Sequence, residues 1–226
     1  MLKRSWFEMS STPWRFAIIP TNGRPCFKLC LEAISPQVNQ IVVVEGGPDA
    51  DLQGVDEGFS FIREPELNIS KWWNLGLTLC ASKVKALGIK QWDAVILNDD
   101  VIVPPGWVQS VSDGMRAAGA AAGCSGAPGP HTVVHHQPGP VGLATRMVGY
   151  AFVLAGEKGV RANEQLRWYF SDDHVDWMAR KAGGMAMIPG YQVAHLHPNG
   201  QMNGELHATV PEDAARFAAY WGMRPW

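Results

Sequence analysis

Short apolar runs alternate with helical stripes along most of this chain. Arg15-Phe-Ala-Ile-Ile-Pro20, Ile41–Val44, Phe59–Ile62 and Ala94–Leu97 are continuous enough to predict buried strands. Between them, Phe27, Cys30, Leu31 and Ile34 form one apolar stripe on a helix opened by Pro25. A longer helix is predicted from a Ser70 cap, with Trp73, Leu77, Cys80, Val84 and Leu87 inward and Gly88 at its end. Strand, helix, strand, strand, helix, strand predicts an α/β fold, a mostly parallel sheet flanked by helices. Ligands bind such sheets at the carboxyl ends of the strands. Pro20-Thr21-Asn22, Glu45-Gly46-Gly47, the segment after Ile62 and Asn98-Asp99-Asp100 should therefore converge on one crevice.

The second half is less regular. A helix near Pro105–Ala118 buries Val108, Val111 and Met115. Residues 119–142 are rich in Ala, Gly and Pro, with little periodicity, which predicts a long lid or mobile connection. Its His131, His135 and His136 read as exposed loop residues rather than ligands. Met147–Leu154 predicts a strand in which Gly149 makes room for a neighbour. Asp172 and Asp173 then open a helix with the stripe Val175, Met178, Ala179 and Ala182, closed by Gly183-Gly184. Favourable placement of acids at a helix N-terminus is an alternative reason for that pair. Met185–Ile188 and Gln192–Ala194 are further strands, the latter running into His195-Leu-His197, whose imidazoles share one side. Thr209-Val-Pro-Glu212 reads as a capping box before a helix that buries Ala214, Phe217, Ala218 and Trp221.

Composition narrows the field modestly. The 226 residues suit a single domain, and neither a repeat nor a linker divides them. A net charge of -2 excludes a general polyanion-binding surface as the main feature. Cys26, Cys30, Cys80 and Cys124 lack zinc spacing and read as free thiols. No apolar run is long enough for a transmembrane segment, and Met1-Leu-Lys-Arg-Ser-Trp lacks a signal-like core, so a cytoplasmic setting is expected.

The chemistry gathers at Asn98-Asp99-Asp100, between two buried segments. Two like charges about 4 Å apart repel by roughly 1 kcal/mol in water and about 4 at an effective dielectric of 20. A divalent cation would remove that cost, and Mg²⁺ or Mn²⁺ prefers such oxygen ligands. A solvated acidic turn is the alternative reading.

The motif order resembles that of the family 2-like glycosyltransferases with the GT-A fold, a Rossmann-like architecture, over most of the chain. The resemblance is carried by Ile18-Ile-Pro-Thr-Asn-Gly-Arg24, Ile41–Val44, Asn74-Leu-Gly76 and Leu97-Asn-Asp-Asp-Val-Ile-Val-Pro-Pro-Gly-Trp107, the last similar to the DXD metal motif. Gly149, Asp172-Asp173-His-Val-Asp176, a strand ending in His and Tyr220-Trp-Gly222 follow in the family's order. The resemblance implies a metal-dependent transfer of a hexosyl or pentosyl group from a UDP- or GDP-type donor to an acceptor hydroxyl. Residues of about 14–103 would bind donor, and about 104–226 would form the acceptor side. Mn²⁺ or Mg²⁺ would be held by Asp100 with Asn98 or Asp99 assisting, and by His195, with His197 the alternate. Asp173, or Asp172 beside it, would be the base of an inverting single displacement. Thr21, Arg24, Glu45, Lys71, Asn74, Asn98 and Asp99 would contact the nucleotide sugar.

This chain departs from the family at four places: Glu45-Gly46-Gly47 stands where Asp is usual, Trp73 where Arg is common, Asn98 for the first carboxylate, and His174 where an acid is common. A non-catalytic nucleotide- or sugar-binding module on the same fold is a competing expectation. A nucleotidyltransferase is another, although Thr21-Asn-Gly-Arg-Pro25 is short and poor in Gly and Lys for its phosphate loop. The acceptor could be a glycan, a lipid carrier, a protein or a hydroxylated nucleobase.

Overall fold

The computed structural model describes residues 12–46, 58–140, 142, 145–197 and 206–224. Gly47 and the amino-terminal residues considered above lie outside them. The central sheet has eight strands, which in chain order are β1 (Trp14–Thr21), β2 (Gln40–Glu45), β3 (Ser60–Arg63), β4 (Trp92–Leu97), β6 (Ala122–Ser125), β7 (Val133–His135), β8 (Ala151–Ala155) and β9 (Met185–Ile188). Their spatial order is β3-β2-β1-β4-β8-β6-β9-β7. The first four are parallel, with Ile18 opposite both Val42 and Ile96. β8 runs antiparallel between β4 and β6, so its beginning lies beside the end of β4, with Leu97 opposite Ala151. β5 (Val101–Ile102) and β10 (Ala194–His195) form a separate antiparallel pair that sets His195 opposite Val101.

Alternation along β1 divides the core between the two faces. Phe16 and Ile18 pack with α2 (Ile69–Leu87) and α4 (Ser171–Ala182), whereas Ala17 and Ile19 pack with α1 (Phe27–Ile34) and α3 (Trp107–Ala117). Gly76 of α2 lets that helix approach β1 closely, since a Cβ there would overlap Ile18. α5 (Val210–Trp221) packs on α4 through a third cluster, Leu166, Phe170, Trp177 and Phe217.

Several expectations require correction. Residues 119–142 are not one irregular lid, because β6 and β7 lie within them. β6 is Ala-Gly-Cys-Ser, without the branched residues that mark a strand, because Met115 and Val111 of α3 sit against Gly123 where a side chain would be. Asn68, not Ser70, caps α2 by accepting the Lys71 N–H at 3.0 Å, while Ser70 donates to Ser171 at 2.8 Å. Leu87, expected inward, is 59% exposed. The Thr209 capping box does not form, since a 3₁₀ turn at His207–Thr209 feeds directly into α5 and Thr209 donates to Leu206 O at 2.8 Å.

His174 clamps α5 to α4. The Trp221 indole N–H donates to its Nδ1 at 3.2 Å, and Tyr220 meets the ring edge-on at 4.9 Å. Burial pushes its pKa down to about 4 from 6.5. The folded state therefore holds the neutral ring. Its contribution is complete above the unfolded pKa and is lost as pH falls from about 6.5 towards 4, by about 3 kcal/mol in all. Urea unfolding at pH 7 and pH 4.5 should give a larger acid loss for the wild type than for His174→Gln; equal losses would count against this linkage.

Candidate active site

Two parallel strands end side by side and deliver the first half of the site. β1 ends at Thr21, whose hydroxyl donates to Asp99 Oδ2 at 2.8 Å and accepts the Gly23 N–H at 2.9 Å. That turn carries Arg24 back over the end of β4, where Nη1 lies 2.9 Å from Asp100 Oδ2 and 3.7 Å from Asp99 Oδ1. Both acids are buried, at 5% and 2% exposure. Burial raises the Asp99 pKa despite the opposing charge of Arg24. At Asp100 burial also pushes upward, but His195 and Arg24 outweigh it and the net direction is down.

Pairing of β10 with β5 then brings His195 to Asp100, with Nε2 3.2 Å from Oδ1. The pair is not aligned as a hydrogen bond, and Oδ1 is a buried oxygen without a hydrogen-bond donor. One carboxylate oxygen and one imidazole nitrogen facing each other suit a borderline divalent cation. Among the described residues no three His, Cys, Asp or Glu side chains converge to hold an ion. Asp100 and His195 thus fit a metal that takes its other ligands from substrate or water. His197 is exposed and is not among the residues that line the cavity of this site.

α4 supplies the second half. Phe170 precedes it with φ 62°, a left-handed backbone that turns the chain sharply into the helix. Asp172 and Asp173 stand in the first turn of α4, and the residue that precedes the helix, Phe170, offers no side-chain cap. Asp172 fills the space left by Gly149, where a Cβ would overlap its carboxylate. Asp173 is 7% exposed, and burial, reinforced by Asp172, pushes its pKa up to about 8. Arg146 opposes that rise from 3.4 Å. Asp176, one turn further on, is held by Arg180 through two bonds of 2.8 and 2.7 Å, which leaves it a structural role.

The two halves line one cavity of about 420 Å³. Thr21, Arg24, Asn98, Asp99 and His195 face it, and so do Arg146, Asp172 and Asp173. Asp100 lies behind Arg24 and His195 rather than on the wall. Three other expected contacts stand apart from it. Glu45 ends β2 one strand away, opposite Thr21. Lys71 is drawn to Glu64 and Glu66, both at 2.9 Å, on the outer side of α2. Asn74 is used by the fold: its amide donates to Ala162 O and Glu164 Oε1 at 3.0 Å and its oxygen accepts from Ala162 N. Arg146, Tyr150, Trp72 and Trp168 also line the cavity and were not singled out as site residues. A signal existed only for the tryptophans, of which the chain has ten.

No protein-family model and no curated protein matches the sequence. Solved structures do match. S. aureus TarS 1-349 superposes with a TM-score of 0.57 at 12% identity, covering 93% of this chain and 72% of that one. GalNAc-T7, crystallised with UDP, GalNAc and Mn²⁺, gives 0.60 at 11% identity, covering 82% of this chain. This chain has the GT-A glycosyltransferase fold. It spans 44% of the length of the GalNAc-T7 chain, and also 44% of a longer S. aureus TarS chain. Among the described residues, no helix is long and apolar enough to cross a membrane.

Proposed function

We propose that this protein is a metal-dependent glycosyltransferase that moves a sugar from a nucleoside diphosphate donor to an acceptor hydroxyl with inversion. One observation carries the reading: a buried carboxylate with a raised pKa, Asp173, shares a cavity with the Arg24, Asn98, Asp99 and His195 group. Arg24 has the reach and charge to meet diphosphate oxygens, exchanging its carboxylate partners for phosphate. A divalent ion on Asp100 and His195, Mn²⁺ as in the GalNAc-T7 crystal or Mg²⁺, would stabilise the leaving diphosphate as a Lewis acid. Asp173 takes the acceptor proton as the hydroxyl oxygen bonds to the anomeric carbon and the sugar–phosphate bond breaks. Thr21 fixes Asp99, and Asp172, seated on Gly149, holds the beginning of α4 against β8. The donor is of the UDP or GDP type, in line with the UDP of the GalNAc-T7 crystal.

A panel of UDP- and GDP-sugars with Mn²⁺ tests the proposal. Donor consumption, with an inverted anomeric product on an added glycan or simple alcohol acceptor, is the expected result. A folded sample that binds nucleotide yet consumes no donor would favour the binding-module reading, which Asn98 in place of a carboxylate and Glu45 in place of Asp support.

A further inference from the structure

We infer that Tyr150 is a positioning residue: its ring holds the His195 imidazole flat so that Nε2 points at Asp100, completing a divalent-metal site. The inference rests on the proposed role of His195 as a ligand and extends it to a side chain that touches neither metal nor substrate in that role. The two rings stack with centroids 4.4 Å apart and planes at 28°.

The need for such support follows from how His195 is held. Its strand is two residues long, pairs among the described residues through Ala194–Ile102 and His195–Val101, and is followed by a Leu196 N–H bond to Asp100 O at 2.9 Å. These bonds place the backbone and leave both side-chain torsions of the histidine open. The imidazole is 17% exposed, so its enclosure is incomplete, and Tyr150 supplies the flat face packed against it. Across the gap Nε2 meets Asp100 Oδ1 at 3.2 Å without an aligned hydrogen bond.

Tyr150 packs its side chain on the core of the α1–α3 face. It immediately precedes β8, which is paired on both sides, and its carbonyl accepts the Asn98 N–H at 3.0 Å. That bond fixes the tyrosine backbone to the acidic turn itself. Order therefore passes from the central sheet, through a flat aromatic contact, to the imidazole. A ligating histidine is generally oriented through its other nitrogen by a hydrogen bond; here the ring face is what is held.

The test uses the full chain with Mn²⁺ alone and then with Mn²⁺ and UDP, measuring affinity by electron paramagnetic resonance and calorimetry. Tyr150→Leu keeps bulk but removes the flat face, and Tyr150→Phe keeps the face. Circular dichroism first establishes that each is folded. We expect Mn²⁺ affinity to fall about 10–100-fold in Tyr150→Leu, the range for loss of a supporting partner, and to stay within about twofold in Tyr150→Phe. In metal-free protein, the His195 Cε1 proton should move downfield in Tyr150→Leu as the ring current is lost, and keep its position in Tyr150→Phe. Wild-type affinity in Tyr150→Leu, with the resonance unmoved, would overturn the inference alone. Wild-type protein that binds no Mn²⁺ with or without UDP would overturn the metal reading, and this inference with it.

Discussion

Asp173→Asn should lower the transfer rate by on the order of 10²–10⁴-fold, the usual contribution of a positioned general base, while Mn²⁺-dependent nucleotide binding stays within about twofold. Asparagine has nearly the same shape and cannot accept the proton. Binding survives because the groups assigned to donor and metal belong to the ends of β1 and β4 and to β10. The wild-type pH profile gives a second test of the same residue. Burial and Asp172 push the Asp173 pKa up to about 8, and the base must be ionised to work, so kcat/KM should rise with pH and level off above about 8. A plateau reached already at pH 5 would remove Asp173 from the role. Stability should move the other way. With the folded pKa above the unfolded one, the contribution of the protonated carboxyl is complete below the unfolded pKa and is lost as pH rises through about 8. Asp173→Asn cannot ionise, so it should melt above the wild type at pH 8.5, with the gap closing near pH 4. A less active and more stable variant is the signature of a group whose strain serves the reaction.

The second large effect belongs to Asp100. Asp100→Ala should abolish the gain in nucleotide affinity that Mn²⁺ gives, because it deletes the carboxylate that faces His195 Nε2. The loss should exceed the roughly 10–100-fold typical of a supporting partner. Without metal the sign is different. Arg24 now spends its Nη1 on Asp100 at 2.9 Å; releasing it should leave metal-free nucleotide binding unchanged or tighter. Calorimetry with and without Mn²⁺ separates the two arms. The same increment from Mn²⁺ in Asp100→Ala and wild type would rule out Asp100 as a ligand.

Much of this arrangement was legible in the chain because parallel strands deliver their carboxyl ends to one edge. The runs at 15–20 and 94–97 located Thr21 and Asn98-Asp99, and both line the cavity. The acids at 172–173 were legible as a cluster at a helix start; both do stand in the first turn of α4, and that they also face the cavity depends on partners the chain alone does not reveal. What stayed hidden depends on tertiary partners. β6 is a strand because a helix presses on Gly123, which its own residues do not encode. Lys71 and Asn74 sit on α2 close in sequence to the lining Trp72 and Trp73, yet helical rotation turns them to Glu64, Glu66, Ala162 and Glu164. Arg146 and Tyr150 carry no periodic signal, and their partners are 27 and 45 positions away in the chain.

The antiparallel course of β8 has a mechanical result. Because it begins where β4 ends, the five residues 146–150 meet both banks of the cavity: Arg146 at Asp173, Gly149 under Asp172, Tyr150 at Asn98 and His195. This segment works as a ruler with marks on both edges, setting the span between Asp173 and the Asp100–His195 pair from a single origin. Lengthening it by one residue would leave every sheet pairing of β8 available and put both scales out of register together.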